Sequence, residues 1–128
     1  DYVSQVNTYL YEPHAAVRAA GLVGAMANQI GLQRIGLATA YLTGDLTEPT
    51  AALARFRVLE SLPFDRKQLK KRIRLLGLGP LEVKTRGLQL NPAEERKKLT
   101  SRSSVEPGTI FLFEAAGKKL AVIAQRLA

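Results

Sequence analysis

The 128-residue sequence has no cysteine, no tryptophan and a single histidine, His14. Without cysteine there can be no disulfide framework, no thiolate zinc site, no iron–sulfur cluster and no cysteine nucleophile. With one histidine, a serine triad would have only His14 as its base. His14 stands beside Glu12 and Pro13, where an exposed residue at a helix start is a simpler reading than a catalyst. Carboxylate pairs at acid–base spacing are missing as well. Asp45 and Glu48 fall in a loop, and Glu94 with Glu95 reads as negative charge at a helix start. These gaps point to no catalytic residue and no metal site in the chain. Long apolar runs are also lacking. The longest charge-free stretch, residues 19–33, contains Asn28, Gln29 and Gln33 and is too short and too polar to span a bilayer. No charged and then apolar leader opens the chain, so no membrane partner is expected. The absence of cysteine fits a reducing, cytoplasmic compartment. The sequence starts at Asp1 without methionine and is read as an excised or processed piece of a longer protein.

What is present is a core-forming composition and an uneven charge. Apolar residues make up 46% of the chain, enough to argue against disorder. A chain of this length is of single-domain size and can bury roughly two-thirds of its unfolded surface. The net charge is +8. Residues 1–62 hold four cations and five anions, whereas residues 63–128 hold 15 cations and six anions. The second half is therefore the candidate polyanion-binding half, and nucleic acid is the commonest soluble polyanion. The alternative is charge that merely keeps the surface soluble.

Local patterns place these cations. Pro13 suits the first turn of a helix over residues 15–30, rich in Ala and Gly and stopped at Gly31. Residues 34–42 read as a strand, 43–51 as a loop and 54–62 as a strand stopped by Pro63. Asp65 then caps a helix over residues 66–76, which ends at Gly77. Leu69, Ile73 and Leu76 form its buried stripe; Lys67, Lys70, Lys71 and Arg74 form the opposite one. Residues 80–86 alternate as a strand, with Leu81, Val83 and Thr85 on one face and Glu82, Lys84 and Arg86 on the other. Asn91 caps a short helix that starts at Pro92 and ends near Leu99. Residues 100–108 read as a polar loop, and 109–114 with 118–125 as a hairpin turning at Gly117. The expected fold class is α+β, with a small mixed or antiparallel sheet, helices packed on it and a C-terminal β-hairpin. Residues 1–53 are read as an N-terminal helical or linker segment and residues 54–128 as the α+β domain.

Three basic groups follow. The row Lys67, Lys70, Lys71 and Arg74 could lie along a phosphate backbone or be an ordinary solvated helix face. Lys84 and Arg86 with Gly87 could hold a phosphate or guard an exposed strand edge. Arg96, Lys97 and Lys98, joined by Arg102 in the loop, could contact RNA or simply complement the helix dipole. If the 66–76 helix covers one sheet face, the first two groups cannot share one flat ligand. The eight aromatics, Tyr2, Tyr9, Tyr11, Tyr41, Phe56, Phe64, Phe111 and Phe113, lie outside the basic runs. Phe56, Phe111 and Phe113 read as core, and Tyr9 and Tyr11 as candidates for exposure. Shape and backbone recognition therefore fits better than a stacking platform. The glycines at 77 and 79 follow a helix and precede a strand, the reverse of a dinucleotide-binding turn.

The run LPFDRKQLKKRIRLLGLGPLEVKTRGLQLNPAEERKKL, residues 62–99, resembles a THUMP-like domain of the kind found C-terminal to the catalytic domain of bacterial class I S-adenosylmethionine-dependent methyltransferases. FRVLE at 56–60, the 77–87 stretch, the closing hairpin and YLYEP at 9–13 extend the resemblance over nearly the whole chain. It implies that the catalytic domain, with the S-adenosylmethionine site, precedes Asp1 in the same polypeptide, and that this chain binds no cofactor itself. THUMP-like domains are by name similar to THUMP domains, which help RNA-modifying enzymes hold transfer RNA.

The expectation is a non-catalytic RNA-binding and substrate-positioning domain of a methyltransferase, with RNA, transfer RNA among the candidates, and the catalytic domain as partners. Expected RNA contacts are Lys67, Lys70, Lys71 and Arg74 first, Lys84 and Arg86 second, and Lys97 and Lys98 third. The alternative is a scaffold or dimerisation module, packing on the catalytic domain or on a second copy without touching nucleic acid. An autonomous enzyme is disfavoured because nucleophile, base and orienter are not found together.

Overall fold

The C-terminal hairpin anchors the sheet. In the structure, a computed structural model, β7 (Glu106–Ala115) and β8 (Lys118–Arg126) are joined by Ala116 and Gly117, whose φ values are 52° and 75°. Two consecutive left-handed residues make the primed turn whose twist matches the flanking strands. The structure describes residues 2–3, 6–19, 21, 23–35, 41–45, 52–101 and 104–127. Within them, β1 (Tyr2–Val3), β2 (Tyr9–Pro13), α1 (Ala15–Ala19), α2 (Val23–Ile30), β3 (Gln33–Ile35), β4 (Leu42–Gly44), β5 (Leu53–Pro63), α3 (Arg66–Leu75), β6 (Leu78–Arg86) and α4 (Pro92–Leu99) precede the hairpin.

Among the described residues the strands form one sheet, in the order β1-β3-β4-β2-β5-β8-β7-β6. β1 with β3 and β6 with β7 are parallel pairs, and the other neighbours are antiparallel. The fold is thus α+β with a mixed sheet and a C-terminal hairpin, as expected. α4 makes the crossover that a parallel β6–β7 pair needs.

Alternation along the strands sorts the core into two faces. On one face, Ile110, Leu112, Ala121 and Ile123 meet Leu69 and Ile73 of α3 and Leu99 of α4. On the other, Leu10, Phe56, Phe111, Phe113, Val122 and Ala124 surround Tyr41. Edge-to-face contacts of Tyr41 with Phe111 and of Phe56 with Phe111, at 5.1 and 4.8 Å between centroids, knit this second core together. A smaller cluster packs α2, through Val23 and Ala27, on Tyr11, Leu42 and Leu53.

The sheet also curls. β2 and β6 are separated by three strands in sheet order, yet Lys84 Nζ lies 2.9 Å from Glu12 Oε1. Across a flat sheet the two strands would stand about 19 Å apart, at roughly 4.8 Å per strand, beyond the combined reach of both side chains. The Tyr41 face is therefore concave, and the α3–α4 layer covers the convex one.

Several elements differ from the sequence reading. The single helix over 15–30 is two helices, because Gly21 adopts φ +69° and turns the chain between them. The strand read over 34–42 is β3 and β4, with residues 36–40 outside the described set. Thr43 and Gly44 belong to β4 rather than to the loop, whose residues 46–51 lie outside the described set. The segment read as a helical lead-in also contributes β1–β4, and β2 pairs directly with β5. Short strands of two to five residues carry too little alternation to be read from sequence. β7 starts at Glu106, inside the expected polar loop, since Leu78 of β6 pairs there.

The glycines at 77 and 79 have structural explanations. Gly77 ends α3 at φ +75°, and a Cβ on Gly79 would overlap the backbone carbonyl of Ser104. Gly79→Ala should cost about 2 kcal/mol, because backbone must move to relieve the overlap. Gly77→Ala should cost only about 1 kcal/mol, the left-handed penalty alone, since nothing lies within 4 Å of its Cβ. Thermal unfolding of the two variants checks this order; equal losses would contradict the close approach at Gly79.

Candidate nucleic-acid interface

α3 is built to separate an apolar side from a basic one. Asp65, with φ −138°, caps it by accepting from the Gln68 backbone N–H at 3.1 Å. Leu69 and Ile73 are fully buried against the sheet. The opposite side carries Lys67, Lys70, Lys71 and Arg74, all exposed. None of these four side chains has a hydrogen bond or ion pair among the described residues. Seven residues separate the first from the last, a row of about 10 Å at 1.5 Å per residue.

The other two α3 arginines are engaged within the fold. Arg66 makes a two-pronged contact with Glu95 of α4, at 2.9 and 3.1 Å, and Glu95 is only 2% exposed. Arg72 does the same with Glu60 of β5, at 2.8 and 2.7 Å. In each case the hydrogen bond and then the charge of the carboxylate hold the guanidinium above its ordinary pKa. The sequence reading placed Arg66 on neither stripe; the periodicity that buries Leu69 and Ile73 brings it, one turn before Leu69, within reach of α4. Glu95 read as helix N-terminal charge, but it is the buried acceptor that ties α4 to α3.

α4 brings a second basic group into the same layer. Asn91 caps it by accepting from the Glu94 N–H at 3.1 Å, Pro92 takes the first position and Leu99 buries the last. Arg96, Lys97 and Lys98 are exposed in its last turn. Lys98 lies 3.8 Å from Glu95, and Lys97 has no side-chain partner among the described residues. Arg102, expected to extend this group, lies outside the described residues.

Lys84 and Arg86 lie on the opposite face. Both point into the concave side, where Glu12 of β2 meets Lys84 at 2.9 Å and Arg86 and Arg18 at 3.9 Å each. Lys84 is also 3.9 Å from Glu82, which pairs with Arg126 at 3.0 Å. The structure thus brings the first and third groups together on the helix layer and separates the second from them, as their alternation required. Glu12 was missed as a partner because its sequence distance from Lys84 and Arg86 conceals the curl.

Among the described residues, no aromatic side chain is fully exposed on the basic layer. Tyr41, Phe56, Phe111 and Phe113 are fully buried, Tyr11 is buried rather than exposed, and Tyr9 is half-buried against α2 and Tyr11. Phe64, half-buried at the start of α3, is the exception in position. His14 is exposed and donates its backbone N–H to Ala52. Among the described residues no cluster of three metal-ligating side chains occurs, and no helix is long and apolar enough to cross a membrane.

Comparison with known proteins adds a family. Residues 53–126 match the family model described as THUMP domain-like. The chain is 35% identical over 102 residues to an uncharacterized S-adenosylmethionine-dependent methyltransferase of Mycobacterium tuberculosis strain CDC 1551 / Oshkosh, and equally to one of strain H37Rv. The match covers 80% of this chain and 28% of each relative, so the chain spans less than a third of their length. A crystal structure from Porphyromonas gingivalis W83, assigned provisionally as a methyltransferase, has a TM-score of 0.81 at 23% identity, covering 100% of this chain and 31% of that one. TrmN from Thermus thermophilus has a TM-score of 0.50 at 12% identity, covering 94% of this chain and 45% of that one. At these identities the two structures show likeness of fold alone.

The concave face also sets an alkaline limit. Burial pushes the Tyr41 phenol up to about 12; the Glu12 charge adds to the rise and Arg86 and Arg18 oppose it. A folded pKa above the unfolded value of 10.0 stabilises the fold fully below pH 10 and is lost as pH rises through about 12. The contribution is on the order of 2–3 kcal/mol. Tyr41→Phe should flatten this part of the stability–pH curve, measured by denaturant unfolding between pH 9 and 12. An unchanged slope would show that another group controls it.

Proposed function

Because the chain belongs to the THUMP domain-like family, we propose that it is the non-catalytic RNA-binding and substrate-positioning part of an S-adenosylmethionine-dependent methyltransferase. The cofactor and the transfer chemistry belong, on this reading, to a catalytic domain of the same polypeptide. This chain holds a structured RNA by its phosphates and supplies position rather than chemistry. The observation that carries the reading is the row Lys67, Lys70, Lys71 and Arg74, four exposed cations free of internal partners among the described residues, with Lys97 and Lys98 in the same layer. Lysines on a helix face are often solvated charge, but here the neighbouring arginines are drawn inward and these four are left outward together. The S-adenosylmethionine-dependent methyltransferase relatives support a methyltransferase as the parent of that surface. Lys84 and Arg86 are the weaker candidates, since both are drawn to Glu12.

A scaffold reading has its own observation. Leu75, at the end of α3, is 64% exposed, and Val105, just before β7, is 90% exposed. The register Leu78 to Glu106 places both at one end of the sheet, where the catalytic domain can dock. The two readings use different surfaces and are compatible.

Fluorescence anisotropy of labelled transfer RNA across salt concentrations tests the RNA reading. Binding should weaken with salt, and Lys70→Glu/Lys71→Glu should lower the log–log salt slope by about 2, near one for each phosphate that is no longer neutralised. Lys84→Glu/Arg86→Glu should leave the slope largely intact and lower Tm, because it turns the Glu12 cluster repulsive. Absence of binding at low salt would leave the scaffold reading alone.

A further inference from the structure

The end of the sheet where α3 and α4 begin holds a cavity of about 290 Å³ walled by Phe64, Leu88, Gln89, Leu90, Glu114 and Lys119. We propose that this cavity receives an unpaired nucleobase of the RNA, at the end of the phosphate track formed by α3. The proposal rests on the RNA-binding reading above and adds what that RNA must present: a base outside a duplex.

Four observations point there. First, size: the volume is close to the lower bound of ligand pockets, roughly 300 Å³, which suits one base rather than a large cofactor. Second, the wall includes an aromatic ring held from two sides. The Phe64 backbone N–H donates to the Lys119 carbonyl oxygen at 2.9 Å, and the Arg66 guanidinium lies 5.7 Å from the ring centroid. Arg66 is itself fixed by the buried Glu95, so the ring and the cation beside it are ordered before any ligand arrives. Unstacked bases rest on aromatic rings, and Phe64 is the one in this wall.

Third, the polar groups are available. Glu114 and Lys119 are cross-strand partners in the hairpin, which normally favours their pairing. Both instead line the cavity, exposed and without a side-chain ion pair among the described residues. Glu114 can accept from an exocyclic amine or a ring N–H, Lys119 can donate to a ring nitrogen or carbonyl, and the Gln89 amide can do either. Leu88 and Leu90 supply apolar wall. Fourth, continuity: Lys67, on the first turn of α3, is one residue beyond Arg66, so a backbone following Lys70, Lys71 and Arg74 reaches this end of the sheet.

The larger hollow at the opposite end, about 430 Å³, is less suited. Its polar groups bond to one another: Arg57 to Gln125 at 3.2 Å, Gln125 to Glu106 at 3.3 Å and Arg126 to Glu82 at 3.0 Å.

The test uses the intact chain and an RNA hairpin with a single-stranded extension containing 2-aminopurine, labelled at a remote site. Anisotropy of the label reports RNA binding, and 2-aminopurine emission reports the environment of the extended base. The expected result is an emission change that saturates with the anisotropy. Phe64→Ala should abolish that change and weaken binding on the order of ten-fold, the usual scale for loss of one stacked base. Because Phe64 is partly buried, Glu114→Gln/Lys119→Gln, an exposed pair of near-isosteric changes, provides the second variant and should also remove the emission change. Anisotropy that rises with no emission change, or a change that survives both variants, overturns the cavity proposal and leaves the RNA reading standing. No rise in anisotropy overturns both.

Discussion

One extra residue in β5 sets the arrangement of everything around it. Val58 pairs with Ala124 and Glu60 pairs with Ile123, so two residues of β5 stand opposite one of β8. Before the bulge, Phe56 and Val58 face the concave core with Leu10 and Phe111. After it, Glu60 and Leu62 face the helix layer. A regular strand would turn Glu60 into the aromatic core around Tyr41, where an unpaired carboxylate is strongly unfavourable. With the bulge, Glu60 meets Arg72 and helps seat α3. β5 also bridges the strand group β1–β4 and the group β6–β8, so its bend contributes to the curl that brings β2 over β6.

The same geometry sorts the cations. Arg66 and Arg72 turn inward onto Glu95 and Glu60, and Lys84, Arg86, Arg18 and Arg126 gather around Glu12 and Glu82. The pair exposed on both sides, Arg126 with Glu82, contributes little stability, about 0–1 kcal/mol. The effect of these ion pairs is to orient. Engaging these carboxylates elsewhere leaves the outer face of α3 and the last turn of α4 with few anions, Glu94 being the exposed one on α4. A concentrated positive surface therefore arises from where the negative charges are used as much as from where the lysines are.

The helix layer and the sheet end act together in this arrangement. α3 and α4 begin at the same end, beside the β7–β8 turn, and both are capped by side chains of their own. Phe64 joins the strand β5 to α3 there and is pinned to β8 through Lys119. The basic outer face of α3 and the cavity at its start lie on one continuous surface, over the β5–β8–β7 pairing.

Much of this was legible in the sequence. The hairpin, the two capped helices, the α3 stripe and the faces of β6 follow from local rules: Asp65 and Asn91 as caps, Gly77 as a stop, and apolar residues at periods of 3.6 and 2. These depend on neighbours a few residues away, so the pattern survives in one dimension. The resemblance of residues 62–99 to THUMP-like domains was visible there too and agrees with the family match. What only the tertiary structure decided were the pairings between distant residues. Glu12 with Lys84, Glu60 with Arg72 and Glu95 with Arg66 depend on the curl, the β5 bulge and the packing of α4 on α3. So does the division of the cations into engaged and free. A charge pattern along the chain records which residues are basic, but pairing is a matter of distance in three dimensions, and those distances exist only once the sheet has closed.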